Sequence, residues 1–130
     1  MTERTVIRTE NAPSAVGTYS QGISTDNIIF TAGQIPLDPS TGEVIEGDFK
    51  TRVRRVLLNI DGILVEAGSS LSYAVKLTVF MTDLSRFSEL NEVFLEFFEK
   101  DPPARSALEV SKLPLGVDVE IECVAVKESL

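Results

Sequence analysis

The chain has 130 residues, 43% of them hydrophobic and 25% charged, with a formal net charge of -8. That length and composition suit one globular domain, residues 1–130, with a core of its own. The acidic balance argues against a nucleic-acid backbone or an anionic membrane surface as partner, since both need clustered Lys and Arg. Histidine is absent and Cys123 is the single cysteine, which excludes Ser-His triads, imidazole-based acid/base work, imidazole zinc sites and an intrachain disulfide.

The opening Met1-Thr2-Glu3-Arg4 leads into no apolar leader, and no run approaches the ~18 apolar residues of a membrane span. With one cysteine, the expectation is a cytoplasmic protein. Arg4 to Thr9 predicts a first strand, and Asn11-Ala12-Pro13-Ser14 a loop. Gly17 to Ser24 predicts a strand interrupted by glycine. Thr25-Asp26-Asn27 is turn chemistry, and Ile28 to Ala32 reads as a buried strand ending at Gly33. A glycine leaving a strand marks a plain turn, a positive φ, or a close approach by backbone or ligand.

A helix follows, with Phe49, Val53, Val56, Leu57, Ile60, Ile63, Leu64 and Ala67 at helical spacing, Asp48 as N-cap and Gly68 as C′ residue. Its Lys50, Arg52, Arg54 and Arg55 read as a solvated face. Ser72 to Met81 predicts a central strand. Thr82-Asp83 opens a second helix, capped by Asp83 or Ser85, with Phe87, Leu90, Val93, Phe94, Phe97 and Phe98 as its apolar stripe. Asn91 lies in the same row, so it is expected to face inward, either as a clamp on a loop or as a site residue.

The last two strands, Arg105 to Val110 and Val117 to Val126, alternate apolar and polar residues around a Pro- and Gly-containing connection. A β-hairpin is expected. With Val110 opposite Val117, Ala107 faces Glu120 and Arg105 faces Glu122, all four on one sheet face. An Arg fork beside carboxylates can hold a substrate carboxylate while a Glu positions or deprotonates a water; it can equally be a cross-strand salt bridge. Cys123 falls on the apolar face with Val119, Ile121 and Ala125, as a small core residue. The order β-β-β-α-β-α-β-β predicts an α+β fold, a mostly antiparallel sheet with two helices on one face. Apolar residues such as Val124 and Val126 on the other face point to cover by further copies of the chain.

Four stretches carry a resemblance: Asn11-Ala12-Pro13 with Gly17-Thr18-Tyr19-Ser20-Gln21-Gly22; Thr31-Ala32-Gly33-Gln34-Ile35-Pro36; Asn91; and Pro103-Ala104-Arg105-Ser106 through Leu113-Pro114 to Val119-Glu120-Ile121-Glu122. Over essentially its whole length the chain resembles the reactive intermediate deaminase (Rid, RidA/YjgF) family. The resemblance implies a chorismate-mutase-like fold and a homotrimer with clefts between subunits. It implies hydrolysis of 2-enamine and 2-imine acids, such as 2-aminoacrylate or 2-iminobutanoate, to 2-keto acids and ammonia, with no cofactor or metal. By the same resemblance Arg105 holds the substrate carboxylate with help from the Gly33 N–H, Glu120 positions the water, and Tyr19 and Asn91 line the cleft. Ala107 stands where many members have Cys, its backbone carbonyl still able to bind the water. Ala32 stands where many have Ser, and Thr18 where Pro is usual beside Tyr19. The rival readings are a non-catalytic trimer that binds small carboxylates and acts through partners, and a ribonuclease, for which the acidic, histidine-free chain offers little.

Overall fold

The computed structural model describes residues 3–128; Met1 and Thr2, part of the opening stretch read above, lie outside them. The elements are β1 (Arg4–Ile7), β2 (Gly22–Thr25), β3 (Ile28–Thr31), α1 (Phe49–Glu66), β4 (Ala74–Met81), α2 (Phe87–Phe97), β5 (Ala104–Glu109) and β6 (Val119–Val126). The expected order is observed. The second strand is shorter than its sequence suggests, because Gly17 to Gln21 forms a loop leading into it.

The helix α1 begins where its cap dictates. Asp48 accepts a hydrogen bond from the Thr51 N–H at 2.9 Å, satisfying one of the orphan donors of the first turn. It ends at Glu66 with Ala67 as C-cap, followed by Gly68 at φ +85°, the left-handed conformation that glycine adopts without a Cβ penalty. Phe49, Val53, Val56, Leu57, Ile60 and Leu64 form one buried face, packed with Leu77, Val79 and Met81 of β4 and Val119, Ile121 and Cys123 of β6. Burial pushes the Cys123 thiol up to about 12, so it behaves as the core residue its pattern predicts.

The sheet order is β1-β2-β3-β6-β4-β5. All neighbours are antiparallel except β4 and β5, which run parallel. This corrects the expected hairpin, since β4 lies between β5 and β6. The reason is the crossover through α2. A strand, a helix and a second strand place parallel strands side by side, and the 110–118 connection is long enough to carry the chain past β4.

The correction flips one side of the predicted constellation. Arg105 is in register with Leu77, which is in register with Cys123, a row facing the helices. Glu122 shares its row with Thr78 and Ser106, and Glu120 with Phe80 and Leu108. One residue of register reverses the face. Arg105 and Ala107 therefore lie on the helix side, and Glu120 and Glu122 on the opposite side.

That opposite side is apolar in patches. Phe30 is 46% exposed and Ile28 40%. Both stand beside Val124 and Val126.

Candidate active site

One half of the candidate site lies at the β5 edge. Arg105 projects from the outermost strand toward α2. Its guanidinium carbon sits 5.1 Å from the centroid of the Phe87 ring and 4.9 Å from that of Phe94. Burial without a carboxylate nearby lowers its proton affinity below the ordinary arginine value. The group still stays charged. Among the described residues Arg105 makes no side-chain hydrogen bond and no ion pair. The other half-buried arginines do: Arg52 with Asp118, Arg54 with Glu96, and Arg55 with Asn59. Arg105 opens onto a groove of about 420 Å³ walled by Asn91, Phe94, Leu95, Phe98 and the Pro102-Pro103 pair.

Asn91 does not face inward. It is exposed at the rim of that groove and makes no side-chain hydrogen bond among the described residues. The clamp role belongs to two residues that the sequence reading passed over. Asn59, fully buried on α1, donates to the Leu37 carbonyl at 2.9 Å and holds the loop after β3. Gln21 donates to the carbonyls of Thr9, Ala12 and Pro13 and accepts from the Thr9 N–H, which fixes the 9–13 loop. Asn59 occupies a position in the apolar face of α1, the same signal that drew attention to Asn91.

Ala107 lies two residues beyond Arg105 on the same face, half-buried against the core. The Val110 N–H donates to the Met81 carbonyl at 2.8 Å. In a parallel ladder, alternate residues turn both backbone groups toward the same neighbour. Arg105, Ala107 and Glu109 consequently turn their N–H and C=O groups to the free edge of the sheet.

The other half lies where β3 meets β6. Phe30 pairs with Val124, and the next backbone bridge joins Gln34 to Ile121. Four steps along one strand oppose three along the other, so one residue is extra and the strand bulges. Within the bulge, the Thr31 hydroxyl accepts from the Cys123 N–H at 3.0 Å in place of a backbone carbonyl. The bulge sets Gly33 against Glu120. A Cβ at Gly33 would come within 2.9 Å of the Glu120 carboxyl carbon, so the glycine serves a close approach by that side chain. No hydrogen bond from the Gly33 N–H occurs among the described residues.

Burial first, and repulsion from Glu122 second, raise the pKa of Glu120 above the ordinary glutamate value. A carboxylate whose proton affinity is raised is a better base toward water. Tyr19 is exposed and lines a groove with Phe30, Thr31 and Ala32, the residues leading to Gly33; its hydroxyl lies 3.3 Å from the Val16 N–H.

The structure thus brings Asn91 and Arg105 to one groove, with Ala107 two residues along the same strand face, and separately sets Gly33 against Glu120, with Tyr19 in a groove that reaches Ala32. It does not bring the two sets together within one chain, because β4 and the plane of the sheet lie between them. Among the described residues no group of three or more His, Cys, Asp and Glu is placed to hold a metal ion, and no helix is long and apolar enough to cross a membrane.

The described residues form a six-stranded, mostly antiparallel α+β sheet backed by two helices, with the Arg105 guanidinium at one edge and the Glu120 carboxylate on the far face. The chain belongs to the Endoribonuclease L-PSP family, the group that also carries the Rid and RutC names; the family profile matches residues 9–127. It is 53% identical to a RutC family protein of Pyrococcus abyssi over 123 residues, covering 95% of this chain and 97% of that one. It is 42% identical over 127 residues to an Escherichia coli protein provisionally named reactive intermediate deaminase TdcF, covering 95% and 98%. Among solved structures, E. coli TdcF with bound serine superposes with a TM-score of 0.90 at 42% identity, covering 95% of this chain and 99% of that chain. RidA from a Psychrobacter species gives 0.90 at 45% identity, covering 94% and 98%.

Proposed function

We propose that the protein hydrolyses reactive 2-imino and 2-enamino acids to 2-keto acids and ammonium, in clefts assembled from two copies of the chain. The observation that carries this reading is Arg105, a half-buried guanidinium that no carboxylate among the described residues neutralises. A desolvated cation of this kind suits a ligand carboxylate held bidentately. The relative with bound serine supports the same choice of ligand, because serine carries an α-carboxylate beside a nitrogen-bearing carbon.

The second half supplies the chemistry. Glu120 orients water toward the imine carbon of R–C(=NH2+)–COO−. Addition gives the carbinolamine R–C(OH)(NH3+)–COO−, which collapses to R–CO–COO− and NH4+. A proton passes from the attacking water to the departing nitrogen by way of the carboxylate. The protonated imine is already electrophilic, so positioning accounts for most of what the protein must do. The N–H of Gly33 and the edge groups of Ala107 offer donors and an acceptor around the ligand, and Tyr19 and Asn91 close the cleft. A homotrimer would bring the edge of one sheet to the far face of the next while covering Phe30, Ile28, Val124 and Val126.

A second reading, a regulatory module that binds small carboxylates without chemistry, needs Arg105 but not Glu120. A ribonuclease reading gains no support: Lys50, Arg52 and Arg54 on α1 are each engaged by a carboxylate of the same chain.

The test is a coupled assay in which a serine/threonine dehydratase or an amino-acid oxidase generates the imine and semicarbazide traps it. The protein is expected to suppress semicarbazone formation, and Arg105→Ala and Glu120→Gln to lose that suppression. Co-expressing the two inactive variants is expected to restore part of the activity, since mixed oligomers contain clefts with both residues intact. No suppression by a correctly folded wild type would overturn the deaminase reading. No restoration would overturn the shared cleft.

A further inference from the structure

We infer that Phe87 and Phe94 form an aromatic clamp that positions the Arg105 guanidinium for carboxylate capture, Phe87 being the exposed jaw. The inference deepens the carboxylate role proposed for Arg105 and rests on that reading. Both rings lie within about 6 Å of the cationic carbon, the range over which a ring quadrupole attracts a cation. They stand seven residues apart on α2, two turns, on the stripe that faces β5. Their environments differ. Phe94 is 7% exposed and belongs to the core, whereas Phe87 is 41% exposed. An aromatic ring left that open gains little by burial, and the cation set over it is Arg105.

The physical need is specific. An arginine with no anion to hold it has many rotamers, and ordering it on ligand arrival costs affinity. A ring attracts the guanidinium without consuming any of its N–H donors. The charge is held near one place and partly desolvated, while the fork stays available for two parallel hydrogen bonds to a carboxylate. A carboxylate in the place of Phe87 would occupy that fork. The clamp is therefore a positioning device acting through Arg105.

The experiment measures binding of pyruvate, a product-type carboxylate, by calorimetry, and imine hydrolysis in parallel. Phe87→Leu keeps an apolar side chain and removes the ring. We expect a roughly tenfold weaker pyruvate affinity, the worth of one well-placed cation–π contact. KM should rise by a similar factor, with kcat little changed and the melting temperature close to wild type. Phe87→Tyr is expected to retain wild-type affinity. Pentafluorophenylalanine at position 87 keeps the shape but opposes the quadrupole, and should weaken binding as Leu does. Wild-type affinity in both Phe87→Leu and the fluorinated protein would overturn the clamp. Pyruvate binding with no hydrolysis in wild type would instead overturn the deaminase reading, and the affinity series would still decide the clamp.

Discussion

The basic face of α1 and the lone arginine of β5 use the same chemical group for opposite ends. On α1, Lys50 reaches Glu92, Arg52 makes paired contacts with Asp118 at 2.9 and 2.6 Å, and Arg54 pairs with Glu96 at 2.8 Å through both nitrogens. Each cation is spent within the chain, tying α1 to α2 or to the loop before β6. Arg105, also half-buried, meets the Phe87 and Phe94 rings and, among the described residues, no carboxylate. A half-buried charge without a partner carries a desolvation cost that a structural role would remove by pairing. Where the pairing is missing, the charge is available to a ligand. The difference also explains why charge clusters in a sequence mislead: four basic residues in six positions turn out to be internal fastenings, and the isolated one marks the candidate site.

The largest separation between the two regions should come from paired alanine substitutions. Arg105→Ala is expected to abolish measurable pyruvate binding while leaving the melting temperature unchanged or raised. Arg52→Ala is expected to leave binding intact and to cost about 1–2 kcal/mol in denaturant unfolding, because Asp118 loses a part-buried bidentate partner. Loss of binding in the second, or large destabilisation in the first, would break the comparison.

A comparable loss of stability without loss of charge is expected from Gln21→Ala. It strands three carbonyls of the 9–13 loop, costing about 2 kcal/mol, and should speed proteolysis of that loop first. Gly33→Ala tests the approach of β3 to Glu120. The added methyl would press on the carboxyl group, whose side chain can swing toward solvent. Hydrolysis should therefore fall more than tenfold, with a binding constant for pyruvate that changes less and a melting temperature that barely moves. An unchanged rate would show that the Gly33–Glu120 contact is not needed.

The smallest effect concerns pH. Because the folded protein binds the Glu120 proton more tightly than the unfolded chain does, this group lowers stability as pH rises through its raised pKa. Glu120→Gln should thus stabilise the fold slightly at neutral pH, the effect being reduced by solvent screening of this partly exposed group. The gain should vanish below the ordinary glutamate range, where both states are protonated. In the wild type, hydrolysis should decline on the acid side as Glu120 takes up its proton. A midpoint at or below that of an exposed glutamate would contradict the raised pKa.

Much of this molecule is local and was legible as such. The bounds of α1 follow from Asp48 and Gly68, and the inward set of β6 from strict alternation around Cys123. The order of elements follows from periodicity alone, since a helix face or a strand face is written in residues a few positions apart. The partners of those faces are not. Whether β5 lies beside β6 or beside β4 depends on groups far apart in the chain, and a plausible turn at 111–116 favours the wrong neighbour. The βαβ order around α2 did contain a clue to parallel pairing. Asn91 failed for a related reason: its row on the helix is correct, but that row continues past the edge of the sheet, where facing β5 means facing the groove.

The sequence by itself determined the elements, their faces, the lack of histidine chemistry and the identity of Arg105 and Glu120 as the residues worth watching. Only the tertiary structure decided that these two stand on opposite sides of the sheet, that the α1 cations are internally paired, that Gly33 makes room for a carboxylate, and that Arg105 is held between two rings. Each of those is a statement about which distant groups meet, and strand order, register and the β3 bulge fix the meeting through non-local hydrogen bonds and burial.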